Sequence, residues 1–250
     1  KANNPMIIIG EMALNRLDGK AVLDTCSKIS KKFGLIKNNW CGFNFLNSNI
    51  SRVGALDIGF YNDEFSNDIL KNIIKFYEKE KTLTILLGVD EIDMNMIKNS
   101  FIVYIGHHGD KGAHKADIIL PSPAYTEKNS LFVNLEGRIL QTQKCHNPLG
   151  DAKEEWKIIK MLGNMLSLNI PYNNQLELRK IICENNEIFR ELNILLKNNF
   201  NEFGTQGNIS DEPLKDLIYN FYMTDPISRA SKKMSECSSN ILKFDKKIVA

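Results

Sequence analysis

Four side chains of metal-ligating type lie within one short stretch. His107 and His108 are adjacent, and Asp110 and His114 follow them. Adjacent residues at the end of an extended strand point to opposite sides, so we do not expect His107 and His108 to share a metal ion. The spacing also matches no recognised zinc arrangement. We interpret these residues as structural and predict no metal site.

Two positions carry a nucleophile. Ser122 lies between Pro121 and Pro123, and no G-x-S-x-G sequence surrounds it. Cys145 is followed directly by His146, but catalytic cysteine–histidine pairs are usually assembled from distant positions. Both positions are interpreted as structural, and the residue chemistry predicts no catalytic residue in this chain.

Glycines and a polar turn form the third group. Gly106, Gly109 and Gly112 follow an apolar run, but their spacing is not the G-x-G-x-x-G of a dinucleotide site. Glu127 and the turn at residues 136–138 could hold a polar ligand, with Arg138 contacting an anion. They could equally form a salt-bridged turn, and residue chemistry leaves both interpretations open.

Strands alternating with helices must position these groups. Short apolar runs that end in Gly or Pro predict buried strands at residues 5–10, 81–90, 101–106 and 117–120. The run at 81–90 is apolar on both faces, as expected for a parallel strand covered by helices. This alternation predicts an α/β fold with a parallel sheet flanked by helices.

The segments between the strands complete this prediction. A helix beginning at Asp18 and Gly19 is expected to end at Gly34, and residues 38–60 are expected to form a loop. Ser66 is a candidate N-cap for a second helix, and a third is expected from Asp151, capped with Glu154, to Leu166. The predicted buried faces of the three helices are, in order, Val22, Cys26, Ile29 and Phe33; Ile69, Ile73 and Phe76; and Trp156, Ile159 and Leu166.

Beyond Pro171 the character of the chain changes. One or two amphipathic helices are expected, then a polar stretch at 198–210, and then an aromatic tail around residues 220–230 that is too short to fold alone. We expect the tail to lie on a partner or on the main domain. The apolar residues of the expected helices are Leu178, Ile181, Ile182, Ile188, Leu192 and Leu195.

Composition excludes several classes of protein. The chain has 250 residues, 43% hydrophobic and 25% charged, which is typical of a soluble globular protein. A net charge of +2 gives no case for nucleic-acid binding, and the apolar runs are too short to cross a bilayer. The five cysteines form no CxxC pair, which favours free thiols in a reducing compartment over disulfides, zinc or iron–sulfur clusters.

Read as a whole, the central stretch resembles molybdopterin oxidoreductases. The resemblance rests on residues 116–121, 125–128 and 133–138, together with Gln141. Four further stretches narrow the resemblance to the large iron–sulfur subunit of mitochondrial respiratory complex I. They are residues 5–19, 106–113, 151–159 and 221–234. It implies a molybdopterin-oxidoreductase-like α/β domain, here incomplete, at residues 1–170, and a C-terminal helical extension and tail at 171–250.

The resemblance implies a structural role. Members of this type are understood to have the pterin fold without the pterin, so it implies no catalytic residue, metal or cofactor here, and Glu127, Asn134 and Arg138 are candidates only for a vestigial pterin loop. The clustered cysteines of the family's N-terminal part are absent from this sequence. We therefore expect the iron–sulfur clusters in a separate partner chain, and other peripheral-arm subunits as neighbours. The implied location is peripheral, on the matrix side of the mitochondrial inner membrane, without membrane insertion.

Two rival interpretations remain open. The chain could be the C-terminal half of an active molybdopterin-dependent oxidoreductase, with Glu127, Asn134 and Arg138 on the cofactor. It could also be a free-standing α/β binding protein, although an incomplete sheet would leave an exposed edge and an apolar face.

Overall fold

The computed structural model describes residues 2–61, 78, 81–89, 91–195, 200, 202–214 and 218–242. The fold is α/β with parallel sheets flanked by helices, as predicted. The chain forms two compact units. The first contains Lys1–Phe60, Leu131–Gln141 and Asn185–Tyr219, and the second contains Tyr61–Ser130, Thr142–Glu184 and Asn220–Ala250. These units do not follow the predicted division at residue 170, since each contains residues from both sides of it. That division stays a prediction.

The first unit contains six of the described strands and three helices. Their bounds are β1 Ile7–Gly10, α1 Glu11–Leu14, α2 Gly19–Phe33, β2 Ile36–Lys37, β3 Trp40–Cys41, β4 Phe43–Leu46, α3 Arg52–Asp57, β8 Leu131–Val133 and β9 Ile139–Gln141. Strands β1 and β4 pair in parallel, whereas β2 pairs with β3, and β8 with β9, in antiparallel fashion.

The loop predicted at residues 38–60 is therefore wrong. This segment contains β3, β4 and α3. Strand β4 is only four residues long and pairs in parallel with β1, from Ile7 opposite Phe43 to Gly10 opposite Leu46. So short a strand has too few residues to show a period of its own, and its partner supplies the hydrogen bonds that define it.

Helix α2 ends as predicted, but its buried face differs from the prediction. Gly34 stops the helix in the left-handed conformation, with φ of 63°. The buried side chains include Ala21, Ser27 and Ser30, and the Ser30 hydroxyl donates to the Cys26 carbonyl at 2.8 Å. Of the predicted face, Val22 and Cys26 are half-buried, whereas Ile29 and Phe33 are exposed. The helix packs through small residues, which allow close approach, and leaves part of its apolar stripe uncovered.

The polar stretch after residue 200 is anchored to the first unit. The Arg16 guanidinium donates to both carboxylate oxygens of Asp18, at 2.7 and 3.0 Å, and to the Ser210 carbonyl at 2.7 Å. Asp18 also accepts from the Ser210 N–H at 2.7 Å. The hydrogen bond from Arg16, followed by that from Ser210, lowers the pKa of Asp18 to about 2. This network attaches the stretch to the start of α2.

These contacts predict a pH-dependent contribution to stability. Asp18 has a depressed pKa, so its contribution is present above the unfolded value of about 3.9 and is lost as the pH falls through about 2. We expect Asp18→Asn to lower the Tm at pH 7, and the difference from the parent chain to shrink between about pH 4 and pH 2. Thermal denaturation across this range measures it. The control is Asp24→Asn, which removes the largely exposed Lys28 ion pair and should change the Tm little. An unchanged Tm for Asp18→Asn at pH 7 would contradict the prediction.

The second unit is built on a three-stranded parallel sheet. Strand β6 (Ser100–Gly106) lies between β5 (Thr82–Leu87) and β7 (Ile118–Pro121). Its helices are α4 Lys111–Lys115, α5 Glu155–Met165, α6 Gln175–Asn185, α7 Pro226–Ala230 and α8 Lys232–Ile241. The strands predicted at 81–90, 101–106 and 117–120 are confirmed within their described residues, and Asp90 lies outside these, as does most of the helix predicted from Ser66. A buried cluster covers one face of the sheet and comprises Leu86, Met94, Ile97, Ile102, Tyr104 and Ala113.

Among the described residues, nothing covers the opposite face of β5, which is called the bare face below. Leu83, Ile85 and Leu87 alternate with inward residues and are 61%, 48% and 44% exposed. Phe101, the register partner of Leu83 on β6, is also exposed. Within the described residues this face is therefore not covered as predicted, and most of the helix predicted from Ser66 lies outside them. Apolar residues on both faces indicate that the strand is suited to burial on both sides. They do not show that elements of this chain cover both sides.

Helix α5 begins later than predicted. It starts at Glu155 rather than near Asp151, and Glu154 at its N-cap makes no side-chain cap. The Glu154 carboxylate instead accepts from the Trp156 indole and the Lys157 ammonium, both at 3.0 Å. Ile159 and Leu166 are exposed rather than buried. The helix packs instead through Gly163, where an added Cβ would lie only 2.4 Å from Cγ1 of Ile170.

The C-terminal third is partly as predicted. One of the expected amphipathic helices is α6, with Leu178, Ile181 and Ile182 half-buried, and a short 3₁₀ turn at Glu187–Arg190 takes the place of a second helix. The aromatic tail belongs to the second unit, so it lies on the main domain, one of the two expected positions. Among the described helices none has both the length and the apolar character needed to cross a membrane.

Candidate functional site

The candidate residues of the second unit lie in loops at the carboxyl ends of β6 and β7. In parallel sheets this end is the usual place for a ligand. Gly106 ends β6, and a Cβ there would lie 2.4 Å from the Tyr104 hydroxyl, so only glycine fits. The same hydroxyl donates to the His108 carbonyl at 2.7 Å. Tyr104 therefore sets the path of the histidine loop.

The two adjacent histidines face one another. His107 Nδ1 and His108 Nδ1 are 2.7 Å apart, and the rings meet edge to face with centroids 4.9 Å apart. The expectation that they point to opposite sides is wrong, because both lie beyond the strand in a bend, where strand alternation no longer applies. Desolvation lowers the pKa of His107, and the neighbouring His108 and Lys128 act in the same direction. His107 is therefore favoured as a neutral hydrogen-bonding group.

The other two side chains of metal-ligating type, Asp110 and His114, have different surroundings in the structure. Asp110 forms an ion pair with Arg229, and His114 is exposed on α4. Within the described ranges, no three His, Cys, Asp or Glu side chains are grouped as metal ligands.

The nucleophile candidates also lack catalytic surroundings in the described structure. Ser122 is buried, and its N–H donates to the Gly106 carbonyl at 3.0 Å, but its hydroxyl has no partner among the described protein atoms. His146 places Nδ1 at 2.9 Å from the Asn147 carbonyl and Nε2 at 3.8 Å from Glu127. Both ring nitrogens are thus directed to groups other than the Cys145 thiol.

The three candidate pterin-loop residues fall in different units. Glu127 lies in the second unit and is buried, and its carboxylate accepts from the Ala124 N–H at 3.0 Å, which closes its own 3₁₀ turn. Asn134 and Arg138 lie in the first unit, in the turn between β8 and β9.

That turn is satisfied internally. Asn134 Oδ1 accepts from the N–H groups of Glu136 at 3.0 Å and Arg138 at 2.9 Å. Arg138 donates to the Asn193 carbonyl at 2.7 Å and lies 3.4 Å from the Glu136 carboxylate. The turn at residues 136–138 is thus salt-bridged, as one of the two interpretations expected, but Glu127 lies in the other unit and closes a separate turn.

Three ion pairs near the strand ends were not predicted from the sequence. Lys128 pairs with Glu155 at the start of α5, and Arg229 pairs with Asp110 and Glu91. The partners are 27 to 138 residues apart along the chain, so no local pattern indicates them.

Comparison with known protein families gives two matches in chain order. The molybdopterin oxidoreductase family matches residues 1–165. The family described as the C-terminal region of the G subunit of NADH-ubiquinone oxidoreductase matches residues 196–237.

Curated relatives match nearly the whole chain. The G subunit of the NADH-quinone oxidoreductase of Rickettsia bellii is 41% identical over 236 residues, covering 94% of this chain and 33% of that protein. The NADH-ubiquinone oxidoreductase 75 kDa subunit of Reclinomonas americana is 38% identical over 247 residues, covering 96% and 34%. The mitochondrial NADH-ubiquinone oxidoreductase 78 kDa subunit of Neurospora crassa is 37% identical over 249 residues, covering 95% and 32%. The chain thus spans about a third of the length of these relatives.

Proposed function

The chain belongs to the molybdopterin oxidoreductase family, and from this premise we propose that it forms the C-terminal part of the large iron–sulfur subunit of respiratory complex I. The whole enzyme would oxidise NADH, reduce ubiquinone and move protons. This chain would brace the peripheral arm on the matrix side of the mitochondrial inner membrane, and it would carry neither clusters nor catalytic residues.

The observation that carries this proposal is the extent of the similarity. Relatives named as the G subunit, or as the 75 or 78 kDa subunit, align with more than nine-tenths of the chain, including the C-terminal segment. A molybdopterin oxidoreductase match alone would favour an active enzyme equally. The second family match, at residues 196–237, favours the complex I subunit.

A non-catalytic role agrees with the state of the candidate side chains. Glu127 closes its own turn, and Asn134 and Arg138 bond within theirs. Groups that act on a substrate need unoccupied donors or acceptors directed toward it. Here the buried polar groups serve mainly to hold loops in place.

The bare apolar surfaces support a partner chain. In the second unit the uncovered face of β5 carries Leu83, Ile85 and Leu87, and in the first unit Ile8 and Phe33 are more than half exposed. Contiguous apolar surface of this kind marks an interaction site. We propose that a cluster-bearing partner chain, the N-terminal part of the same subunit, covers these exposed apolar residues.

Assembly in mitochondria tests the proposal. Tagged chain is expected to migrate on a native gel with the flavin- and cluster-bearing subunits of complex I, identified by mass spectrometry. Ile85→Arg should reduce this incorporation severalfold, because a charge would be buried at the interface. Leu176→Arg, at an exposed site on α6, is the matched control and should incorporate normally.

One outcome would overturn the proposed function, and another would overturn only the proposed interface. A small particle containing stoichiometric molybdenum would indicate an active molybdopterin enzyme. Normal incorporation of Ile85→Arg would show that the bare face of β5 is not the interface.

A further inference from the structure

The end of the described chain forms a small structure of its own. In this tail segment, residues 220–242, Asp225 caps α7 by accepting from the N–H groups of Ile227 at 2.9 Å and Ser228 at 3.0 Å. The Asn220 amide donates at 2.7 Å to the hydroxyl of Ser238, which is fully buried. The 3₁₀ turn at Phe221–Met223, α7 and α8 therefore pack on one another.

One side chain joins this segment to the strand-end loops. The Arg229 guanidinium pairs with the Asp110 carboxylate through Nε and approaches Glu91 Oε1 at 3.3 Å through Nη2. Arg229 and Asp110 are each only 20% exposed, so water screens their interaction less than that of a surface pair. Glu91 follows β5 and Asp110 follows β6, which places Arg229 at the carboxyl ends of two neighbouring parallel strands.

The Asp110 carboxylate contacts Arg229 rather than capping the helix that follows it. It occupies the N-cap of α4, where an aspartate normally accepts from the first backbone N–H groups, but its side chain makes no cap hydrogen bond. The carboxylate is turned to Arg229 instead. Its loop is held in place by the hydrogen bond from Tyr104 to His108, so the acceptor is preorganised.

We propose that Asp110 and Glu91 form a guanidinium-binding site for the chain's own Arg229. Arg229 acts as an electrostatic latch that holds the tail segment at the carboxyl ends of β5 and β6, the position where a ligand binds in other parallel sheets. The tail is thus a built-in occupant of that position, and its attachment depends on this ion pair. This inference does not rest on the proposed complex I function.

Charge exchange tests the latch in the full chain. Arg229→Glu should accelerate amide hydrogen exchange in α7 and α8 about tenfold or more, because two carboxylates would then repel the new one. Adding Asp110→Arg to this variant should restore most of the protection. The control is Lys233→Glu, at an exposed residue of α8 whose pair with Glu236 is local, and its effect should be small.

Two readouts separate a latch from a purely structural contact. Exchange in β6 should remain slow in Arg229→Glu, and Arg229→Ala, which removes the ion pair without adding a repulsive charge, should accelerate tail exchange less than Arg229→Glu does. Unchanged tail exchange in Arg229→Glu, or a double variant no better than the single one, overturns the proposal. Equal loss of protection in β6 also overturns it, because Arg229 would then support the whole unit.

Discussion

Replacing Gly204 by alanine is expected to destabilise the first unit by about 3 kcal/mol. The residue has φ of 81°, which costs a side chain of L configuration about 1–2 kcal/mol. A Cβ would also lie 2.3 Å from the Lys20 carbonyl oxygen and 2.3 Å from the Asp24 nitrogen. Both atoms belong to the backbone of α2 and cannot rotate away, so the segment itself must move.

The movement would break specific contacts. Thr205 N–H donates to the Lys20 carbonyl at 3.0 Å, and Phe203 stacks on Phe43 with centroids 5.9 Å apart. Loss of this attachment should detach the stretch at residues 202–214 from α2, and should expose Phe203, which is half-buried. Urea denaturation measures the stability, and hydrogen exchange at Thr205 reports the local detachment.

Gly34→Ala is the matched control. Gly34 also has positive φ, 63°, but a Cβ there meets nothing within 4 Å. We expect a cost of about 1 kcal/mol from backbone strain alone. If the two variants lose the same stability, the close approach of Gly204 to α2 has no energetic role.

Ile105→Ala is expected to cost the second unit about 2–5 kcal/mol. Ile105 is 0% exposed near the carboxyl end of β6, which lies between β5 and β7, so truncation leaves a cavity that neighbouring strands cannot fill. Exchange in all three strands should accelerate together, because they form one hydrogen-bonded sheet.

The control is Leu87→Ala, at the register partner of Ile105 on β5. Leu87 is 44% exposed, so its truncation should cost less than about 1 kcal/mol in the isolated chain. The same variant should weaken incorporation into the complex, since Leu87 belongs to the bare face. A large loss of stability in the isolated chain would show that this face is already covered.

Sequence patterns predicted the elements whose signals are local. Strand β6 and helix α2 were found because apolar runs and a terminating glycine act within a few residues. The family resemblance was likewise visible, since it rests on short strings of residues in a fixed order, and the family matches at residues 1–165 and 196–237 bear it out.

Burial was predicted less well. Ile29 and Phe33 on α2, and Leu83 and Ile85 on β5, have the apolar character of core residues but lie exposed. Periodicity identifies the face that favours burial, and only the neighbouring elements decide whether it is covered.

The arrangement of the candidate site was decided by tertiary structure. The residue types at Glu127 and Arg138 allowed either a ligand site or one shared turn, and in the folded chain each residue belongs to a turn in a different unit. Arg229 and Asp110 are 119 residues apart, and charge alone does not identify a partner among many acids and bases. An ion pair over that separation depends on where two strands end and where a distant helix packs, which the folded chain determines.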